Sequence, residues 1–165
     1  MSRRRIVTLG AVSLVIVGGI ALAVVAVIGR AMAPANDVRV YEPAPFASAA
    51  EASKASGIPL PPEAKSVRVA SWSQWIGHAT YMRFDAPVAV CLRHAAVLVP
   101  DEALAPVAAR QLADDATPPE PGIFRDVSWF DLGAAQNVVA AGGGSQRPRV
   151  WVDRTRGVLY YRLTD

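Results

Sequence analysis

The stretch "IVTLGAVSLVIVGGIALAVVAVIG", residues 6–29, contains no charged side chain. At about 1.5 Å per residue, a helix of this length crosses a hydrocarbon core of about 30 Å with some tilt. A helix also satisfies its own backbone donors and acceptors in lipid, so the run predicts one transmembrane helix. Arg3, Arg4 and Arg5 precede it, while only Arg30 and Arg39 lie near its far end. The positive-inside rule then makes residues 1–5 a cytoplasmic tail and places the remaining chain outside, periplasmic or extracellular. The expected layout is a single-pass signal-anchor in a bacterial inner membrane.

The same run decides how the charge is read. The chain has 17 Lys and Arg against 14 Asp and Glu, a balance that first suggests nucleic acid. Setting aside Arg3, Arg4, Arg5 and Arg30, which flank the run, leaves 13 basic and 14 acidic residues, a net of −1. A domain that neutralises several phosphates carries a clear positive excess, so no nucleic-acid partner is expected.

A cleaved export signal is the competing account of the segment. "SRRRIVT" is similar to a twin-arginine signal, and "AMA" at residues 31–33 has the small-x-small form of a cleavage site. Against it, the apolar cores of cleaved signals run about 7–15 residues, and Pro34 would follow the cut. No cysteine lies near the segment's end, which rules out a lipoprotein. Gly19 and Ala23 form a small-xxx-small pair, a spacing that lets two transmembrane helices approach and so offers a route to a homodimer.

Residues 30–56 read as a Pro/Ala-rich linker, with the low-hydrophobicity stretch "ASAAEASKASG" forming at most a short frayed helix. Residues 57–165 suffice for one small core. Within them, "SVRVASW" and "ATYMRF" alternate apolar with polar side chains around a short segment holding Gly77 and His78, the pattern of a β-hairpin. "APVAVCLRHAAVL" starts with a first-turn proline and reads as a helix, and "DEALAPVAARQLADD" reads as a second. "DVSWFDL" suggests a short strand and "GAAQNVVAAGGGS" a helix or loop. "RVWVDRTRGVLYYRLTD" is the clearest hairpin, turning through residues 153–157 with Gly157 supplying a left-handed residue. The order ββα(α)β(α)ββ predicts an α+β domain, a mostly antiparallel sheet covered by helices on one face.

The one cysteine, Cys91, and one of the two histidines, His94, sit three residues apart on the first helix. Turned at 100° per residue, Val88, Cys91, Leu92, Ala95, Leu98 and Val99 share one apolar sector, with His94 on its flank. Cys91 thus reads as a core thiol with suppressed reactivity. An envelope hydrolase or redox accessory using His78, Asp85, Cys91 or His94 is the enzymatic alternative. A structural zinc site wants four ligands, so one cysteine and two histidines predict no metal, and no cofactor motif is present. "AAGGGSQRP" lacks the strand before and helix after that a phosphate loop needs. Asp114, Asp115, Glu120, Asp126 and Asp131 make an acidic stretch, in which the adjacent Asp114 and Asp115 at a helix end read as solvated carboxylates, with the arginine-rich last hairpin as the pairing partner on offer.

Alternation along the two hairpins also yields a binding expectation. If Val67, Val69, Met82, Phe84, Val150, Val152, Leu159, Tyr161 and Leu163 face the helices, then Arg68, Trp72, Tyr81, Arg83, Trp151, Tyr160 and Arg162 face the other way. Trp, Tyr and Arg are the residue types that anchor interfaces and stack on sugars. The expected function is therefore a non-enzymatic interaction or accessory domain, binding an envelope protein or glycan through an open arginine and aromatic face. On that reading, Trp151→Ala with Arg83→Ala leaves the thermal midpoint nearly unchanged.

Overall fold

The computed structural model of the chain describes residues 37–41, 44–74, 77–115, 127–144 and 146–164. The expected transmembrane run, the tail before it and the Gly19–Ala23 pair lie outside these residues. Among the described residues, no helix is long and apolar enough to cross a membrane.

The elements run β1 (Asp37–Tyr41), α1 (Ala49–Ser56), β2 (Lys65–Gln74), β3 (Gly77–Asp85), α2 (Val88–Leu98), β4 (Ala105–Pro106), α3 (Ala109–Asp115), β5 (Val138–Gly142), β6 (Arg149–Asp153) and β7 (Val158–Thr164). The strands form one sheet in the order β1-β2-β3-β7-β6-β5-β4, with every pairing antiparallel. β2 to β7 make its body, and β1 extends one edge by backbone pairing with β2. This is the α+β class that the alternating runs predict.

Both hairpins form where alternation places them. In the closing one, the Gly157 N–H donates to the Asp153 carbonyl at 2.9 Å with Gly157 at φ +68, the left-handed residue that the turn requires. α2 begins at Pro87, whose carbonyl accepts from the Val90 and Cys91 N–H groups at 2.8 and 3.0 Å. Proline suits this place because it lacks only a donor that a helix start leaves unused. α1 starts at Ser48, whose Oγ accepts from the Glu51 N–H at 3.2 Å, and ends at Gly57 with φ +71.

Val67, Val69, Met82, Phe84, Val150, Val152, Leu159 and Tyr161 share one sheet face and make the first core, and Ala52 of α1 with Cys91 and Ala95 of α2 closes over them.

 Leu159 lies fully buried among these residues. Removing such an apolar side chain from water stabilises the fold by about 1.5–3 kcal/mol per residue.

Several stretches fold differently from their sequence expectation. Part of the expected linker belongs to the domain: β1 pairs with β2, the Phe46 N–H donates to the Val67 carbonyl at 2.8 Å, and Ala49 and Ala52 of α1 are buried. Small alanines let this helix lie close to the sheet despite its low hydrophobicity. The expected second helix is confined to α3, because the chain before it forms β4, where Pro106 sits in an edge strand that needs one donor fewer. "DVSWFDL" makes turns instead of a strand, and "VVAAG" from the expected helix or loop is β5. β5 is buried on both faces at Val138, Val139, Ala140 and Ala141, so it shows no polar alternation to mark it. His78 lies in β3 opposite Ser73, not in a turn. The helices are not all on one face either: α3 and residues 127–135 cover the other.

Candidate functional site

The strand register gathers the expected binding residues onto one face of the sheet, opposite α1 and α2. Arg68, Arg83, Tyr160, Trp151 and Ala140 stand in one row across β2, β3, β7, β6 and β5. The next row holds Ala70, Tyr81, Arg162, Arg149 and Gly142. Trp72 stands beyond it, opposite Ala79. All seven residues singled out by alternation therefore share a face, and Arg149, which alternation did not single out, joins them.

That face is not open. Trp151, Tyr160 and Tyr81 are 0%, 2% and 3% exposed. Phe130, carried by the turns before Leu132, inserts among them, with ring centroids 5.1 Å from Tyr81, 5.4 Å from Tyr160 and 6.0 Å from Trp151, each edge to face. Such aromatic pairs add about 0.5–1.5 kcal/mol beyond the area they bury. Leu112 of α3 and Leu132 complete a second apolar cluster with Val138, Ala140 and Val158. Burial pushes the Tyr81 phenol up to about 12, with Arg162 opposing the rise, and it also raises Tyr160. An expected recognition surface is thus largely a second core, so Trp151→Ala cannot leave the thermal midpoint unchanged.

Its polar rim is a network around the arginines. Arg149 Nη2 donates to Asp115 Oδ2 at 2.7 Å, and Trp151 Nε1 donates to the same oxygen at 3.1 Å. Arg162 Nη1 donates to the Asp115 carbonyl at 3.1 Å. The Arg149 and Arg162 guanidinium carbons lie 5.3 and 5.2 Å from the Trp151 ring centroid, within cation–π range. Arg83 pairs with Asp85 at 3.0 Å and lies 5.9 Å from the Tyr160 ring. The Arg83 and Arg149 Nε atoms are buried without a hydrogen-bond partner among the described residues.

Asp153 has a structural task at the end of β6. It is fully buried, and its two oxygens accept from the Gln136, Thr155 and Arg156 N–H groups and from Arg156 Nε at 2.7 Å. Burial alone would raise this carboxyl, but the Arg156 side chain and the backbone donors outweigh it and hold the group below its ordinary 3.8. The charge is kept where it ties the closing turn to the 132–137 segment.

The residues of the enzymatic alternative are not brought together. His78 and Asp85 lie at opposite ends of β3, about 24 Å apart at about 3.4 Å per residue. The Cys91 thiol is buried and donates to the Ala86 carbonyl at 3.5 Å, and burial pushes its pKa up to about 11. His94 is buried too, not flanking: its Nε2 lies 3.0 Å from the Pro59 carbonyl, which can only accept, so Nε2 carries the proton. The ring packs edge-on to Phe84 at 5.7 Å, and burial lowers its pKa. Each group is satisfied by a main-chain carbonyl instead of by the other. Among the described residues, no three His, Cys, Asp or Glu side chains are grouped to hold a metal ion.

A separate open cleft of about 400 Å³ lies between residues 98–102 and Arg147 and Pro148. Glu102 at its margin accepts the Gly142 N–H at 2.9 Å. No protein-family model, curated protein or solved structure matches the chain.

Proposed function

We propose that the chain is a single-pass protein of the bacterial inner membrane whose extracytoplasmic α+β domain is a non-enzymatic interaction or accessory module with an anionic envelope partner. The observation that carries this reading is the gathering of Arg68, Arg83, Arg149 and Arg162 on one face of the sheet, although the chain outside the anchor arginines has a net charge of −1. Holding four guanidinium groups together costs desolvation and mutual repulsion, against which Arg83 pairs with Asp85 and Arg149 with Asp115. The uncharged run at residues 6–29 and the arginines before it support the membrane placement.

A reporter that works only outside the cytoplasm, fused after Asp165, tests the placement. It should be active, with the protein retained in the membrane fraction at full-length mass. Activity of a cytoplasm-only reporter in its place would overturn the topology, and release at a lower mass would replace the anchor with a cleaved signal.

A further inference from the structure

We propose that Arg149, Arg162 and the Trp151 indole N–H form a binding site for an acidic peptide segment, and that Asp115 of α3 occupies it as an internal stand-in. The site gives the interaction module its ligand class and rests on that reading for its biological purpose.

The contacts to Asp115 are those by which one residue of a peptide is read. Its carboxylate takes Arg149 at 2.7 Å and the indole at 3.1 Å, while its main-chain carbonyl takes Arg162 at 3.1 Å. A free phosphate or a sugar acid offers a charge but no carbonyl in that relation. The carboxylate neutralises Arg149 while Arg162 meets only the main-chain carbonyl, which leaves a positive excess, and the buried Arg149 Nε still has donor capacity unused among the described residues. Arg83 continues the positive face one strand further from β6 than Tyr160.

The stand-in is lightly held. α3 has only seven residues, too few to be helical alone, and Leu112 is its one buried side chain. Ala109, Arg110, Gln111, Ala113 and Asp114 are exposed. Displacing α3 therefore costs little beyond the leucine contact and the Asp115 bonds, and an external acidic residue restores the latter. A tethered segment competes at an effective concentration in the millimolar range, so in the closed protein an added peptide is largely excluded.

The full-length chain in mild detergent provides the test, with a fluorescein-labelled, C-terminally amidated peptide of this chain's own sequence ARQLADD as probe. In a variant carrying Leu112→Ser and Asp115→Asn, anisotropy should show the peptide binding at least about ten-fold more tightly than to the unaltered chain. The same peptide with its last aspartate replaced by asparagine should bind at least about ten-fold more weakly to that variant, and adding Arg149→Ala should remove binding. Asp115→Asn alone, which keeps Leu112 in place, should give a smaller gain and serves if the double variant does not fold. Equal binding of both peptides, or no gain in a variant with an unchanged near-ultraviolet circular dichroism spectrum, overturns the site. Inorganic phosphate binding more tightly than the peptide overturns the ligand class. None of these readouts depends on the membrane topology or on an envelope partner, so failure here is distinguishable from failure of the module reading.

Discussion

Gly157 lies so close to Ala86 that a Cβ built on the glycine would sit 2.3 Å from the Ala86 carbonyl oxygen. In return, the Gly157 carbonyl accepts the Ala86 N–H at 2.9 Å. This contact ties the β6–β7 turn to the chain entering α2. With φ at +68, Gly157→Ala meets both a left-handed backbone and a clash, and should lower stability by more than about 2 kcal/mol. Gly57→Ala is the control, since Gly57 has φ +71 but nothing within 4 Å, and should lose only about 1–2 kcal/mol. Equal shifts in the urea midpoints of the two variants would contradict the packing at Ala86.

Cys91 should resist thiol reagents in the folded protein. Its sulfur is buried and its pKa is pushed up to about 11, so little thiolate exists at pH 8 and less is reachable. Labelling with a chromogenic disulfide should be negligible without denaturant and complete in urea. Rapid labelling of the folded chain would return Cys91 to the list of candidate nucleophiles.

His94 gives stability a pH dependence with a definite sign. Burial lowers its folded pKa below the ordinary 6.5, so as pH falls through 6.5 the unfolded chain takes up a proton that the folded chain refuses. Its effect on stability is constant above about pH 7.5, declines as pH falls through 6.5, and levels off below the folded pKa. His94→Gln, which keeps an N–H for the Pro59 carbonyl, should remove this part of the slope. Parallel urea midpoints for the two proteins between pH 5 and 8 would show that His94 does not titrate differently on folding.

Much of this architecture was legible because alternation is a backbone property. Val67, Val69, Met82 and Phe84 reach the first core by strand parity alone, and Trp151, Tyr160 and Arg162 reach the other face by the same rule. Parity also contains Arg149, two residues before Trp151 on β6. What parity cannot tell is what covers a face. Phe130 and Leu112 come from short irregular stretches with no periodicity of their own, and Asp115 meets Arg149 from 34 residues away. β5 escaped because its Val-Val-Ala-Ala run is buried on both sides and alanine suits a helix as well.

Arg83 is where recognition by the arginine face separates from its part in folding. Its ion pair with Asp85 is partly exposed, with side-chain exposures of 24% and 39%, and such pairs contribute about 0–1 kcal/mol. Trp151→Ala, by contrast, empties a fully buried site and should cost about 3–5 kcal/mol. The measurement is the recovery of partners that co-purify with the full-length protein in mild detergent, taken beside the thermal midpoint, for the unaltered chain and for Arg83→Ala. Arg83→Ala should lose most of the recovered partner while its midpoint moves by no more than a few degrees; full recovery with Arg83→Ala would show that the arginine face serves folding alone.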